Sequence, residues 1–155
     1  LPAGWLKAVF DEFGRDPGLA ALSGPLIYYD LSPAGRAMVR LFYGIGYLVS
    51  WIASRVTGTG AMIQGGNFVV RRAVLDEIGG YDTTIEFYGE DTDVARRVGR
   101  VGRIRWTFRL PIYSSARRMK GEGIAMTGLR YALNYLWVAF RGRPLTTTYK
   151  DIRPD

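Results

Sequence analysis

The sequence predicts an α/β domain, because short apolar runs alternate along it with longer stretches of helical periodicity. Two further observations agree. At 155 residues the chain can bury a real core. Its hydrophobic fraction of 48% and charged fraction of 23% are ordinary for a folded globular protein. No internal repeat and no low-complexity tract interrupts it.

Trp5 to Phe13 reads as a short amphipathic helix with Trp5, Ala8, Val9 and Phe13 on one face. Gly14 and the Asp16-Pro17-Gly18 turn end it. Leu19 to Leu22 and Leu26 to Tyr29 are apolar runs split by Ser23-Gly24-Pro25, as buried strands would be. Ser32-Pro33 opens a long helix, with serine at the cap and proline at the first helical position. That helix runs to about Val56, and Leu41 to Ala53 within it carries no charge. Thirteen residues rise only about 20 Å, too little to span a bilayer of roughly 30 Å. The segment fits a core helix. With Tyr43, Tyr47, Trp51 and the flanking Arg36, Arg40 and Arg55, it also fits a helix lying at a membrane interface.

After a loop at Thr57-Gly58-Thr59-Gly60, Met62 to Val70 is expected as a strand interrupted by Gly65-Gly66. A short helix follows, Arg72 to Ile78, closed by Gly79-Gly80. Asp91 to Val101 is a helix with Val94, Val98 and Val101 on its buried face, stopped by Gly102. Arg103 to Phe108 alternates basic and apolar residues like an edge strand, and Pro111 to Ser115 is a further strand. Ser114-Ser115-Ala116-Arg117-Arg118 reads as a basic turn. Gly123 to Phe140 is the last helix, with Leu129, Leu133, Leu136 and Phe140 in a stripe, and the residues after Pro144 form a polar tail.

Composition narrows the chemistry. Without cysteine there are no disulfides and no thiolate metal sites, and nothing points to an oxidising compartment. Without histidine, acid–base work falls to Asp, Glu, Lys or Tyr. The charge is +7, from 21 Lys+Arg against 14 Asp+Glu, and nearly all of the positive side is arginine. Such an excess suits phosphates, carboxylates, anionic lipid or nucleic acid. The arginines are scattered over several elements and no nucleic-acid motif accompanies them, so nucleic acid is not favoured.

The pieces that carry chemistry stand in a fixed order: Gly65-Gly66-Asn67, Arg71-Arg72, Gly79-Gly80-Tyr81-Asp82, and Tyr88-Gly89-Glu90-Asp91. Taken singly, paired glycines mark a bulge or close approach, and acids opening a helix cap it. Together the run resembles the C-terminal half of the inverting family-2 glycosyltransferases, nucleotide-sugar enzymes of the GT-A fold. Leu1-Pro2-Ala3-Gly4-Trp5-Leu6 looks like the segment after that family's metal-binding Asp-x-Asp, and Leu22-Ser23-Gly24-Pro25 like its next strand. The resemblance covers residues 1–120, the acceptor-side half of the domain, with a C-terminal amphipathic helix over 121–143 and the tail over 144–155.

The resemblance implies that Asp91 is the general base that takes the acceptor hydroxyl's proton, with Glu90 orienting acceptor or base. It implies that Gly65, Gly66 and Asn67 line the substrate. Arg117 and Arg118 are read as a grip on diphosphate or on a phosphorylated acceptor, beside the plain reading as a solvated basic turn. A divalent metal, magnesium or manganese, is expected in the complete enzyme, with its main ligands outside this chain. Asp91-Thr92-Asp93 is rejected as that metal site, because residues two apart do not share a helix face. The expected partners are a nucleotide-sugar donor and a saccharide or lipid-linked acceptor. The expected setting is the cytoplasm, with peripheral contact at the inner face of the plasma membrane. No secretory signal pattern opens the chain. Leu1 is not a starting methionine, and the resemblance implies a nucleotide-binding half before it, so the chain is expected to belong to a longer polypeptide and to be inactive alone. Two rivals stand beside this reading: a non-catalytic basic module binding membrane or nucleic acid, and one half of a split transferase.

Overall fold

The computed structural model describes residues 1–57, 62–85 and 89–141 together with Leu145. The chain order is α1 (Trp5–Arg15), β1 (Leu19–Ser23), β2 (Leu26–Tyr28), α2 (Pro33–Thr57), β3 (Phe68–Val70), α3 (Arg72–Glu77), α4 (Glu90–Val101), β4 (Arg103–Trp106), β5 (Ile112–Ser114), α5 (Arg117–Glu122) and α6 (Ile124–Arg141). The class is mixed α/β. One small sheet has the order β3-β1-β4, with β1 antiparallel to β3 and parallel to β4. β2 and β5 form a second, parallel pair.

β1 is the centre of the molecule, and all five of its residues are buried. A strictly alternating strand would set Leu19, Ala21 and Ser23 on one face. The register against β4 slips between Leu19 and Ala21 and breaks that alternation. Leu19 and Leu22 therefore both join Val9 of α1 and Leu110, with Trp5, Phe13 and Val69 around them. Ala20 and Ala21 both join Val94, Ala95 and Val98 of α4, with Ile63 alongside. The two alanines let α4 come close: a methyl group on Gly102 would meet the Ala20 Cβ at 2.5 Å.

Polar fastenings fix the layers. Asn67 is only 1% exposed, and its amide nitrogen donates to Leu110 O at 2.7 Å and Pro25 O at 3.1 Å. The Ser23 hydroxyl donates to Asn67 O at 2.7 Å and accepts the Gln64 N–H at 2.9 Å. Gly24 is required beside this network, because a methyl group there would lie 2.2 Å from Leu110 O. The Arg71 guanidinium is spent on the interior as well, donating to Leu19 O at 2.7 Å and Phe13 O at 3.2 Å over the Phe13 ring. Arg103 and Arg105 of β4 pair with Asp16 at the end of α1, and Arg105 also with Glu12. On α2, the Tyr43 hydroxyl accepts the Leu26 N–H at 3.2 Å and Ser50 Oγ accepts the Met62 N–H at 2.8 Å.

Several elements match the sequence-based expectation, including the α2 start, where Ser32 Oγ accepts the Gly35 N–H at 3.1 Å. β4 lies at an edge of the sheet, as its alternation predicted. Three expectations need correcting. The segment before β3 is not an interrupted strand: Gln64 and Asn67 bridge to each other across a tight Gly65-Gly66 turn, with Gly66 at φ +82°. The basic turn after β5 is instead the helix α5, because the Asp30 carboxylate holds the Ala116 N–H at 2.7 Å and so secures its start. Val101 is exposed rather than buried, since Gly102 ends α4 in an extended conformation at the sheet edge. Leu129 and Leu133 also face outward on α6. The expected loop over 58–60 lies outside the described residues, and so does the tail over 144–155 apart from Leu145.

Asn67→Ala leaves the Pro25 and Leu110 carbonyls without their buried donor. It is expected to lower the unfolding free energy by about 2–4 kcal/mol, read from the urea midpoint at an unchanged slope.

Candidate active site

α4 begins without a side-chain cap. Its N-cap is Gly89, in the left-handed region at φ +92°, so the first-turn N–H groups need acceptors from elsewhere. Asp91 provides one: its Oδ1 accepts the Thr92 N–H at 2.7 Å and the Thr92 hydroxyl at 3.3 Å. Its other oxygen, Oδ2, accepts the Gly65 N–H at 2.8 Å. Two pieces of the motif that lie 26 residues apart thus meet in one hydrogen bond. A methyl group at position 65 would press on Asp91 Oδ2 at 3.0 Å, so the carboxylate would have to shift by a few tenths of an ångström to make room.

The third acid of the turn is used differently. Asp93 is buried and binds Arg96 at 3.0 Å and Arg97 at 2.7 Å. Arg97 in turn donates to Ile78 O at 2.8 Å and Gly80 O at 2.6 Å. The Gly79-Gly80 turn is thereby tied to the first turns of α4. Asp91 and Asp93 point to separate partners, and among the described residues no group of acids could hold a metal ion. The acids among the described residues do not fit a divalent cation.

Burial raises the Asp91 carboxyl above the ordinary aspartate range, against the opposing pull of the Gly65 and Thr92 donors. Burial also raises Glu90, with a further push from the neighbouring Asp91 charge. Glu90 is exposed as a whole residue. Two adjacent acids lifted toward neutrality at a helix start are a candidate site on physical grounds.

Of the residues the sequence marked, Gly65, Glu90 and Asp91 come together, and Gly66 is exposed in the same turn. Asn67 departs from expectation. It is interior, its amide nitrogen holds the frame, and it is not presented to a substrate. Arg117 is exposed at the start of α5, whereas Arg118 is half-buried and reaches Glu122 at 3.4 Å. Tyr88, which precedes Gly89 in the motif, lies outside the described residues. The sequence reading missed Asp30, whose carboxylate accepts Ala116 N–H and Ser115 Oγ–H and pairs with Lys120. These donors, led by the Ala116 amide, hold it down to about 2. An acid wedged between a strand and a capped helix was the available signal. No family model, curated protein or solved structure matches the chain.

Folding raises the Asp91 pKa, so the folded protein keeps a proton that the unfolded chain has already released. The ionised carboxyl therefore counts against the folded state as pH rises above the ordinary value of 3.8, and not below it. Asp91→Asn exchanges this pH-dependent cost for the pH-independent loss of one accepted hydrogen bond. The stability difference should move in the variant's favour between pH 3 and pH 7, as read by urea titration at each pH.

Proposed function

We propose that this chain forms the acceptor side of an inverting sugar transferase that uses a nucleotide-sugar donor, with Asp91 as its general base. The observation that carries the reading is the Gly65 N–H to Asp91 Oδ2 hydrogen bond. It joins the two motif pieces that such a site needs side by side, and it leaves Oδ2 a further lone pair for a hydroxyl. In the reaction, Asp91 takes the acceptor O–H proton and the freed oxygen attacks the anomeric carbon. The bond from that carbon to the diphosphate oxygen breaks, and its electron pair leaves with the nucleoside diphosphate. A base whose pKa burial has lifted toward neutrality is better matched to this proton than an ordinary aspartate.

Glu90, exposed beside Asp91, orients the acceptor, and exposed Arg117 is available to a phosphate group. Asn67 and Arg71 belong to the frame beneath. The donor's nucleotide pocket and the metal ligands are assigned outside this chain. The cytoplasm is the compartment we assign, in keeping with the absence of cysteine. A second reading has its own observation: Asp91 accepts the Thr92 N–H and Gly65 N–H, as a purely structural fastening would.

One substitution separates the two. In the complete polypeptide carrying this chain, Asp91→Asn is expected to slow transfer by about 10²- to 10⁴-fold, with donor binding unchanged in equilibrium titration. Transfer at the wild-type rate would leave only the structural role. Gly65→Ala, which crowds Oδ2 and bends the same hydrogen bond, should lower the rate by about tenfold or more, with thermal unfolding measured alongside.

A further inference from the structure

A surface helix normally turns its apolar stripe to the core and its polar residues to water. α2 is built the other way round. Its inward stripe is Gly35, Val39, Tyr43, Gly46 and Ser50, two of them glycine and two held through hydroxyl groups. Its outward stripe is Leu41, Phe42, Ile45, Leu48, Val49 and Ile52, between 37% and 63% exposed. α6 repeats the inversion. Thr127, Asn134 and Val138 face in, and Met126, Leu129, Leu133 and Trp137 face out at 38–55% exposure. The two helices pack together where the Phe42 ring lies over Gly128.

Neither helix contains an acidic residue. Their charges are all arginine, and helical spacing places Arg40, Tyr47, Trp51 and Arg55 along the border of the outward stripe of α2. Arg55 stacks on Trp51 at 4.4 Å and Arg141 on Trp137 at 5.2 Å. An aliphatic stripe edged by tryptophan, tyrosine and arginine matches the layering of a bilayer surface, with acyl chains below and phosphates at the rim. We infer that the outward faces of α2 and α6 rest on an anionic lipid bilayer, apolar stripe downward and arginines at the lipid phosphates. No helix among the described residues is long and apolar enough to cross a membrane, so this is contact along the surface. A second copy docked through the same face would set arginine against arginine with no acid between them. Nucleic acid would leave the aliphatic stripe unused.

This inference rests on residues apart from Asp91 and stands or falls separately from the transferase reading. The test is co-sedimentation of the full chain with vesicles of phosphatidylglycerol and phosphatidylcholine, and with phosphatidylcholine alone. The expected result is binding to the anionic vesicles. The double variant Ile45→Gln/Leu48→Gln, checked for retained helicity by circular dichroism, should bind about tenfold or more weakly. Arg40→Gln/Arg55→Gln should lose the preference for anionic over neutral vesicles. Asp91→Asn should bind as wild type. No binding to either vesicle, or equal binding by the Ile45/Leu48 variant, would overturn the proposal. So would a discrete dimer in sedimentation equilibrium that this variant dissolves.

Discussion

Asn67 donates to the carbonyls of Pro25 and Leu110 while its own carbonyl takes the Ser23 hydroxyl, and these bonds join three segments that are far apart in sequence. Asn67 is interior, where a polar group left unpaired is costly, so these bonds hold the chain around it in one arrangement. That arrangement fixes the Gln64–Asn67 turn and with it the direction of the Gly65 N–H. Asp91 can accept that hydrogen only because α4 is anchored at the same height, through Val94 and Val98 against Ala20 and Ala21. The candidate base is therefore held from two sides, by a polar clamp on the turn and an apolar seat under the helix.

The three acids at the start of α4 show how position along a helix assigns different work to the same chemistry. All of them complement the helix dipole. Asp93, one turn in and buried, is neutralised by two arginines, one of which also holds the Gly79-Gly80 turn. Asp91 has amides and a hydroxyl for company, and burial outweighs their pull on its charge. Glu90 stands outermost. The order from frame to chemistry thus follows the order from interior to solvent.

Much of this was legible in the sequence where one principle acts alone. The serine-proline start of α2, the Gly102 stop and the edge alternation of β4 all follow from local geometry. The motif order pointed to Gly65 and Asp91, which do meet. Illegible parts are those where a distant partner decides. Asn67 looks like a substrate ligand until Pro25 and Leu110 are placed around it. α5 looked like a turn because its starting acceptor, Asp30, comes from the distant turn after β2. The stripe of Leu129 and Leu133 was visible as a stripe, but periodicity does not say which way a stripe faces.

The seat beneath α4 has a mechanical side. Gly102, at the end of the helix, lies against Ala20 with no room for even one more carbon, and the helix between it and Asp91 is a stiff rod about 18 Å long. A methyl group added at the back of that rod would tilt it and carry the carboxyl at the front away from the Gly65 amide. Ala20 thus acts as a shim under a lever: the reach of the candidate base is set by the thickness of one alanine on the far side of the layer.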